Sequence, residues 1–233
     1  METPVPDSVI AALSDQTVAR LHLLLDEVLR VNQQFNLTAI RDPQEAWIKH
    51  VLDSLQGLKT GLFEGARRVI DVGAGAGFPG LALAVARPEL KVMSLDATRK
   101  KCDFIRDTAH LFELNAPVVC ARAEKAAHEA PHRERFDLAT ARAVGSLSEV
   151  CELALPFVRV GSHLVLWRGH NAVKELHETQ SAIKALGGTS NRAPLPYSLP
   201  NHDLTYHLTV IEKIKPTPRE FPRRDGLPKA QPL

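Results

Sequence analysis

The sequence is poor in cysteine and in aromatic residues, and it has no long apolar run free of charge. Its three cysteines, Cys102, Cys120 and Cys151, form no CxxC or CxxH pair, which argues against structural zinc and for a reducing compartment. Aromatic residues make up 5% of the chain, which is little for a surface that stacks successive bases of a single strand. No stretch approaches the roughly 18 apolar residues of a transmembrane helix. We expect no metal site and no membrane span.

The first ten residues, METPVPDSVI, hold two acidic residues and neither lysine nor arginine. Secretory signals and transit peptides are rich in basic residues, so we expect this stretch to be neither. Together with the cysteine pattern, it predicts a protein of the cytoplasm.

The rest of the composition is typical of a globular protein, with 44% hydrophobic and 24% charged residues among 233. A chain of this length can bury a large core without disulfides or metals. The net charge is only +2, but it is uneven: residues 1–64 hold 5 basic and 9 acidic side chains, residues 65–111 hold 8 and 5, and residues 212–233 hold 6 and 3. The two basic regions allow contact with a polyanion, although the overall charge does not require one.

Three segments of the chain differ in pattern. Residues 1–64 predict an N-terminal helical cap, residues 65–215 a domain of alternating strands and helices, and residues 216–233 a basic tail with five prolines. Within the cap, Asp42 and Pro43 predict the start of a helix, with Asp42 as the N-cap and Pro43 as its first residue. Two glycines, Gly57 and Gly61, are expected to end that helix.

The middle segment alternates short β-rich runs with helical stretches, which is typical of βαβ units and a parallel sheet. The strands are predicted over Arg68–Val72, Lys91–Leu95, Ala116–Cys120, Phe136–Thr140 and His163–Trp167. The helices are predicted over Phe78–Ala86, Arg99–Leu114, Val144–Phe157 and Ala172–Leu186. Residues 189–197 and 204–214 predict two more strands that pair as an antiparallel hairpin. We therefore expect an α/β, Rossmann-like sheet of about seven strands that ends in a β-hairpin, the layout of class I S-adenosylmethionine-dependent methyltransferases.

A glycine-rich turn follows the first predicted strand, in the stretch Asp71-Val72-Gly73-Ala74-Gly75-Ala76-Gly77-Phe78-Pro79-Gly80. Glycine lets the backbone turn sharply and lets a ligand approach the main chain, and the start of the next helix adds free N–H groups. We expect this turn to bind a cofactor, with contributions from Asp71, Gly73, Gly75, Gly77 and Phe78.

Asp96 ends the second predicted strand, nineteen residues after Gly77. An acidic residue at that point suits the ribose hydroxyls of an adenosine cofactor. The glycines also match GxGxxG, the fingerprint of NAD-binding proteins, which on its own is a weak signal. The acid before the glycines and the width of the loop favour S-adenosylmethionine over a dinucleotide. A turn that binds nothing is a further alternative.

Two more candidates follow the third and fourth predicted strands, where ligands bind in open α/β sheets. The backbone of Ala123 and the side chain of Glu124 are expected to hold the adenine. Arg142 is expected to face the methyl group that is transferred. The alternatives are an acid that stabilises the start of a helix, for Glu124, and a surface ion pair, for Arg142.

Several motifs together resemble the ribosomal RNA small subunit methyltransferase G family, also called glucose-inhibited division protein B. They are, in order, Asn32-x-x-Phe35-Asn36-Leu37-Thr38-Ala39-Ile40, His50-x-x-Asp53-Ser54-Leu55, the glycine-rich turn, Leu95-Asp96, Arg142-Ala143 and a basic end that contains Arg219, Arg223, Arg224 and Lys229. The likeness runs from about residue 20 to residue 229. This combination of motifs in this order is specific to the family.

The resemblance implies methylation of the ring nitrogen N7 of one guanine, position 527 in the usual rRNA numbering, in the 530 loop of bacterial 16S rRNA. It implies S-adenosylmethionine as the methyl donor, with Gly73, Phe78, Ala123, Glu124 and Arg142 at positions that contact this cofactor. N7 of guanine has a free lone pair and no proton. No general base is therefore expected, and Arg142 is expected to act by positioning.

For the RNA, Asn36, His50 and Asp53 are candidates to read the guanine, with a local hydrogen-bonded pair as the alternative for the last two. Phosphate contacts are expected from two basic groups, Arg99 with Lys100 and the tail residues Arg219, Arg223, Arg224 and Lys229. We expect a monomer that recognises its site within a small-subunit particle, because a short site in a long RNA needs shape to define it.

Three other functions stay open on the sequence alone. An NAD-dependent oxidoreductase would explain the GxGxxG register, but no catalytic Tyr-x-x-x-Lys is present. A non-catalytic ribosome-binding module would keep the fold without turnover. A methyltransferase acting on a small molecule or a protein would leave the basic tail without a purpose. Binding of S-adenosylhomocysteine or of NAD separates the first from the others.

Overall fold

A computed structural model describes residues 8–233 of the chain. Residues 1–7 lie outside the described residues, and with them the start of the predicted cap and most of the stretch expected to lack a signal. The cap contains α1 (Ser8–Ala11), α2 (Asp15–Asn32), α3 (Pro43–Ala46), a π-helical turn (Trp47–Leu52), α4 (Asp53–Leu55) and a 3₁₀ turn (Gln56–Thr60).

The cap helices begin and end where side chains or glycine satisfy the backbone. Ser14 caps α2 by accepting a hydrogen bond from the amide of Thr17. Asp42 caps α3 by accepting from the amide of Glu45 at 2.8 Å, with Pro43 as the first helical residue, as predicted. The helical run continues past Gly57 and ends before Gly61, whose φ of +71° is left-handed.

The sheet contains eight strands: β1 (Arg68–Val72), β2 (Lys91–Asp96), β3 (Val118–Cys120), β4 (Phe136–Arg142), β5 (Val158–Arg168), β6 (Gly188–Thr189), β7 (Leu195–Ser198) and β8 (Thr205–Lys213). Strands β1 to β5 pair in parallel in the order β3-β2-β1-β4-β5. Strand β8 then runs antiparallel to β5, and the hairpin partners lie on its far side. The predicted parallel sheet with a terminal hairpin is confirmed.

The eight strands fill seven positions, because β6 and β7 pair with opposite ends of the same strand. Gly188 lies opposite Lys213, and Leu195 lies opposite Leu208, both on β8. The single strand predicted over 189–197 is therefore divided by residues 190–194. Within that gap Pro194 has no N–H to give to the ladder.

The helices around the sheet are α5 (Gly80–Ala86), α6 (Arg99–Leu111), α7 (Ala123–Ala126), α8 (Leu147–Ala154) with a 3₁₀ turn (Leu155–Phe157), α9 (Ala172–Glu178) and α10 (Gln180–Ala185). The helix predicted over 172–186 is divided at Thr179. A last helix, α11 (Leu227–Ala230), lies in the C-terminal segment. Among residues 8–233, every helix is too short or too polar to cross a bilayer.

Buried side chains form two apolar layers. One layer joins cap residues such as Leu21 and Leu55 to Leu81 and Leu83 of α5, so the cap and the sheet share a core. The other lies under α7, α8 and α10. Because the cap packs against one face of the sheet, the polar side chains of the cap are held in fixed positions near the carboxyl ends of the strands.

The predicted tail, residues 216–233, folds back onto the domain. The Arg133 guanidinium donates to the backbone oxygens of Thr217, Pro218 and Phe221 at 2.9–3.0 Å. The Lys213 ammonium is fully buried and donates to Thr217 Oγ1. The segment predicted to be a tail is therefore packed against the rest of the chain. Its prolines and charges alone do not reveal this.

Candidate cofactor and substrate site

The turn after β1 has the backbone conformation that its glycines predict. Gly73, Gly75 and Gly77 have φ values of +74°, +58° and +92°, which side chains rarely adopt. A Cβ on Gly73 would lie 2.8 Å from Val144 Cγ2, and one on Gly77 would lie 2.4 Å from Leu81 Cδ1. The turn thus needs glycine for conformation and for space.

Asp71 stabilises the glycine-rich turn through hydrogen bonds. Its buried carboxylate accepts hydrogen bonds from the Gly80 amide at 2.9 Å and from Thr140 Oγ1 at 3.0 Å. Burial raises the pKa of Asp71 to about 6, against the effect of those two hydrogen bonds. Asp71 does not line the cavity next to the turn, so its expected contribution to cofactor binding is indirect.

A cavity of about 400 Å³ opens at the carboxyl ends of β1, β2, β3 and β4. Four of the residues predicted to bind cofactor line it, namely Gly73, Asp96, Ala123 and Glu124. Its wall also includes Lys101, Val144, Glu149 and Lys229, which the sequence did not assign to the cofactor. Its position, at the switch point of an open α/β sheet, is where such folds bind nucleotides.

Asp96 joins the glycine turn to the end of β2. One carboxylate oxygen accepts from the Gly75 amide at 2.9 Å, and the other accepts from the Thr98 amide at 2.8 Å. Each oxygen keeps a further lone pair, so the carboxylate can still accept from ribose hydroxyls.

Glu124 lies at the start of α7 and is buried, with 4% of its surface exposed. Its Oε1 accepts from Arg122 Nη2 at 2.7 Å and from the Gly226 amide at 2.9 Å. Burial alone would raise the pKa of this carboxyl, but those hydrogen bonds hold it below its usual value. Glu124 is therefore an ionised acceptor on the cavity wall.

The polar groups that line this cavity fit S-adenosylmethionine. Two hydrogen-bonded carboxylates, Asp96 and Glu124, suit ribose hydroxyls and a purine amino group. Gly73 of the glycine turn lies on the cavity wall, where it has no side chain to block an amino-acid moiety. Among residues 8–233, no three His, Cys, Asp or Glu side chains are grouped as metal ligands would be.

Arg142 lies beside the cavity, at the end of β4, and points toward the cap. Its Nη1 donates to Asp53 Oδ2 at 2.9 Å, to the Lys49 backbone oxygen at 2.9 Å and to Ser54 Oγ at 3.2 Å. The Arg142 guanidinium also lies 5.9 Å from the centre of the Phe78 ring. Arg142 is thus enclosed by the cap and the glycine turn.

Asp53 is held from two more directions, by residues that the sequence did not indicate. Tyr197 on β7 donates its hydroxyl to Asp53 Oδ1 at 2.5 Å, and Trp167 on β5 donates to the Asp53 backbone oxygen at 2.6 Å. Burial and the neighbouring carboxylate raise the pKa of Tyr197. These partners are more than a hundred residues from Asp53, and no local pattern in one sequence connects them.

His50 stacks on Phe78, with the ring centres 5.0 Å apart and the planes 8° from parallel. Its Nε2 lies 2.9 Å from Thr38 Oγ1, and its buried Nδ1 has no hydrogen-bond partner among the described residues. Burial, aided by the charge of Arg142, lowers the pKa of His50 to about 4. His50 and Asp53 therefore do not pair with each other, and the imidazole is neutral near pH 7.

The turn before α3 places the remaining cap candidate. Asn32 Oδ1 accepts from the amides of Leu37 and Thr38 at 2.8 and 3.0 Å, which shapes this turn. Asn36 is exposed, and its Oδ1 accepts from Arg41 Nη2 at 3.3 Å. Asn32, which begins the first family motif but has no predicted role of its own, thus positions the turn that carries Asn36.

The basic residues predicted to meet RNA fall into two groups. Arg99 and Lys100, at the start of α6, are exposed, and so are Arg219 and Arg224. Arg223 instead pairs with the fully buried Glu152 at 2.6 Å. Lys229 lies on the cofactor cavity. The structure thus places Arg223 in an internal ion pair and Lys229 on the cavity wall, and contact of either residue with RNA stays a prediction.

Solved structures share this architecture. The O-methyltransferase of Bacillus cereus in complex with SAH aligns with a TM-score of 0.59, at 19% identity, over 82% of this chain and 91% of that one. An O-methyltransferase described as putative, from Klebsiella pneumoniae, aligns with a TM-score of 0.55, at 16% identity, over 82% and 90%. The fold is that of a class I S-adenosylmethionine-dependent methyltransferase.

The sequence comparisons identify one family within this class. Residues 17–196 match the model of the family described as rRNA small subunit methyltransferase G. Proteins named ribosomal RNA small subunit methyltransferase G are 41% identical in Deinococcus deserti, over 96% of this chain and 90% of the relative, and 39% identical in Alkaliphilus metalliredigens, over 95% and 92%. The chain belongs to the rRNA small subunit methyltransferase G family, and the resemblance found in its motifs is confirmed.

Proposed function

We propose that this chain transfers a methyl group from S-adenosylmethionine to N7 of one guanine, position 527, in the 530 loop of 16S rRNA. The observation that supports this best is the ion pair between Arg142 and Asp53, which holds the cap at the edge of the cofactor cavity. Arg142, Phe78 and His50 lie together at that edge, where the His50 ring stacks on the Phe78 ring and the Arg142 guanidinium lies over it.

The cofactor is held, in this proposal, by the glycine turn and by the ends of β2 and β3. Asp96 accepts from the ribose, Glu124 and the Ala123 backbone hold the adenine, and Gly73, Gly75, Gly77 and Phe78 enclose the amino-acid moiety. S-adenosylmethionine supplies an electrophilic methyl group on a positively charged sulfur. Asp71 keeps the turn in shape through its hydrogen bond to Gly80.

The reaction needs no proton to be removed, because N7 of guanine already presents a lone pair. This agrees with the chemistry of His50, whose imidazole is neutral near pH 7 and would not repel the cationic product. Arg142 cannot occupy N7 without blocking the reaction, so it is assigned to positioning, through O6 or through the cap. Asn36, His50 and Asp53 are the candidates for holding the guanine out of its stack.

The RNA backbone is assigned to the exposed cations Arg99, Lys100, Arg219 and Arg224. Such contacts supply affinity that falls with salt but do not read sequence. We infer that the substrate is 16S rRNA within a small-subunit particle, that the chain acts as a monomer, and that it works in the cytoplasm without a metal ion.

The test is methyl transfer from labelled S-adenosylmethionine to small subunits that lack the modification, with the modified base mapped by cleavage at 7-methylguanosine. We expect a single cleavage in the 530 loop. Arg142→Ala should abolish it, while Arg30→Ala, which removes an exposed arginine of α2, should leave it unchanged.

Two other outcomes identify the alternatives. Binding of NAD without binding of S-adenosylhomocysteine would indicate an oxidoreductase. Binding of S-adenosylhomocysteine with no transfer to naked RNA, to partial particles or to complete subunits would indicate a non-catalytic ribosome-binding module.

A further inference from the structure

The last thirteen residues of the chain, 221–233, lie across α7 and α8 and are docked along their length. Arg223 donates to both oxygens of the buried Glu152, at distances from 2.6 to 3.1 Å. Ser148 Oγ donates to the Leu233 backbone oxygen at 3.0 Å. We call residues 221–233 the C-terminal strap.

The strap reaches the cofactor cavity at two points. The side chain of Lys229 forms part of the cavity wall. The Gly226 amide donates to Glu124 Oε1 at 2.9 Å. An ion pair between Lys125 and Asp225, at 3.2 Å, lies beside this contact. The strap therefore touches the residue assigned to the adenine.

Two hydrogen bonds from other residues to the Glu124 side chain end on the same oxygen. Arg122 Nη2 and the Gly226 amide donate to Oε1. Because the two donors come from segments about a hundred residues apart, they fix the rotation of the carboxylate. Oε2 is then available to accept from a ligand in the cavity.

We propose that the C-terminal strap positions Glu124 so that its Oε2 accepts the exocyclic amino group of adenine, which makes selectivity for an adenosine cofactor depend on the C-terminal end of the chain. This inference rests on the proposed function, since it takes S-adenosylmethionine as the ligand. Adenine offers an N–H donor at this position. Hypoxanthine has an oxygen there, and it would face an ionised carboxylate with no hydrogen bond between them.

Gly226 offers a way to release the strap at one point. Its φ is +78°, and its amide donates the hydrogen bond to Glu124. A Cβ added there would meet nothing within 4 Å. Gly61 is a matched control at the end of the cap: its φ is +71°, its amide donates to the Leu58 oxygen at 3.1 Å, and its Cβ space is also open. Proline at either position removes the N–H and imposes a negative φ.

The experiment measures the dissociation constants of S-adenosylhomocysteine and S-inosylhomocysteine for the full chain by titration calorimetry. We expect the natural chain to prefer the adenosine ligand by about tenfold or more, in the range of one lost hydrogen bond to a charged group. The preference should fall below about threefold in Gly226→Pro and in Glu124→Gln, whose amide both donates and accepts. Gly61→Pro should keep the preference of the natural chain.

An unchanged preference in Gly226→Pro would overturn the proposal, and with methyl transfer intact it would leave the proposed function standing. Failure of the natural chain to bind S-adenosylhomocysteine would overturn both. If Gly226→Pro does not fold, the full-length double variant Glu152→Gln, Arg223→Gln gives the same test, because it removes the ion pair that docks the strap on α8 and leaves no buried charge unpaired. A loss of selectivity in that chain supports the proposal, and retained selectivity contradicts it.

Discussion

Asp53 and Arg142 are 89 residues apart in the chain, and their side chains form an ion pair with 2.9 Å between Oδ2 and Nη1. Both side chains are almost buried, with 12% and 13% exposure. Asp53 belongs to the cap, and Arg142 ends β4 next to the cofactor cavity. The pair therefore joins the cap to the edge of the cavity, in addition to their shared core, and loss of one partner would leave the other charge buried and unpaired.

The first prediction concerns this pair. Asp53→Asn keeps the size of the side chain but removes its charge, so Arg142 and the cap should be held less firmly. We expect kcat for methyl transfer to fall by about 10- to 100-fold, as misplacement of positioning groups does. The dissociation constant for S-adenosylhomocysteine should change less than about threefold.

The control is Asp26→Asn, which changes an exposed acid of α2. Equal losses of cofactor affinity and of kcat in Asp53→Asn would contradict the assignment of this pair to substrate positioning, and a thermal unfolding curve separates either result from loss of the fold.

The second prediction concerns Gly73. Its φ is positive, and a Cβ at this position would lie only 2.8 Å from Val144 Cγ2, so Gly73→Ala must strain the turn or move Val144. We expect affinity for S-adenosylhomocysteine to fall by at least about tenfold and stability to fall by about 1–2 kcal/mol, the usual cost of a left-handed residue with a Cβ. Gly65→Ala is the control, because its φ is ordinary and its surroundings are open. Equal affinities in the two variants would show that the turn does not touch the ligand.

The sequence predicted those parts of the fold that depend on neighbours in the chain. Strand β1 is predicted over Arg68–Val72 and lies there, since a short β-rich run is followed directly by the glycines that end it. The start of α3 at Asp42 and Pro43 followed from capping chemistry. Gly73, Asp96 and Glu124 are predicted from their places at or after the ends of three strands, and they line one cavity because the carboxyl ends of parallel strands meet at one edge of the sheet.

The parts that were not predicted depend on contacts between distant residues. Tyr197 and Trp167 reach Asp53 only because β5 and β7 lie beside the cap in the folded chain. Arg223 is predicted to contact RNA because it belongs to a basic cluster at the end of the chain, and the structure gives it an internal partner, the buried Glu152. Neither contact has a local pattern, so one sequence without relatives could not reveal them.

The third prediction concerns pH and His50. An unfolded histidine takes up a proton below its ordinary pKa of 6.5, whereas folded His50 stays neutral until about pH 4. The unfolded state then binds more protons, so the free energy of unfolding falls as the pH drops from 6.5 toward 4. At pH 5 the loss should be about 2 kcal/mol.

The measurement is urea unfolding of the natural chain and of His50→Asn at pH 7.5 and pH 5. The decrease between the two pH values should be smaller in the variant by about 2 kcal/mol. Asp71, whose raised pKa acts in the opposite direction by making the chain less stable as the pH rises, is present in both chains and cancels in the difference. His110→Asn, at an exposed position of α6, is the control. Equal decreases in all three chains would mean that His50 is not buried in its neutral form.

The fourth prediction concerns the basic start of α6. Arg99 and Lys100 are exposed on a helix that begins three residues after Asp96, so they lie near the RNA if the base enters between the cap and the cofactor cavity. The double variant Arg99→Ala, Lys100→Ala should bind small-subunit RNA more weakly and should show a plot of log K against log salt that is shallower by about 1.4 to 2, since two phosphate contacts are lost. Affinity for S-adenosylhomocysteine should stay the same.

The matched control is Lys174→Ala, Lys184→Ala, which removes the same charge from exposed positions of α9 and α10. If both double variants reduce the slope equally, the RNA responds to net charge, and α6 is not a specific contact; if neither does, the phosphate contacts lie on the strap side, at Arg219 and Arg224.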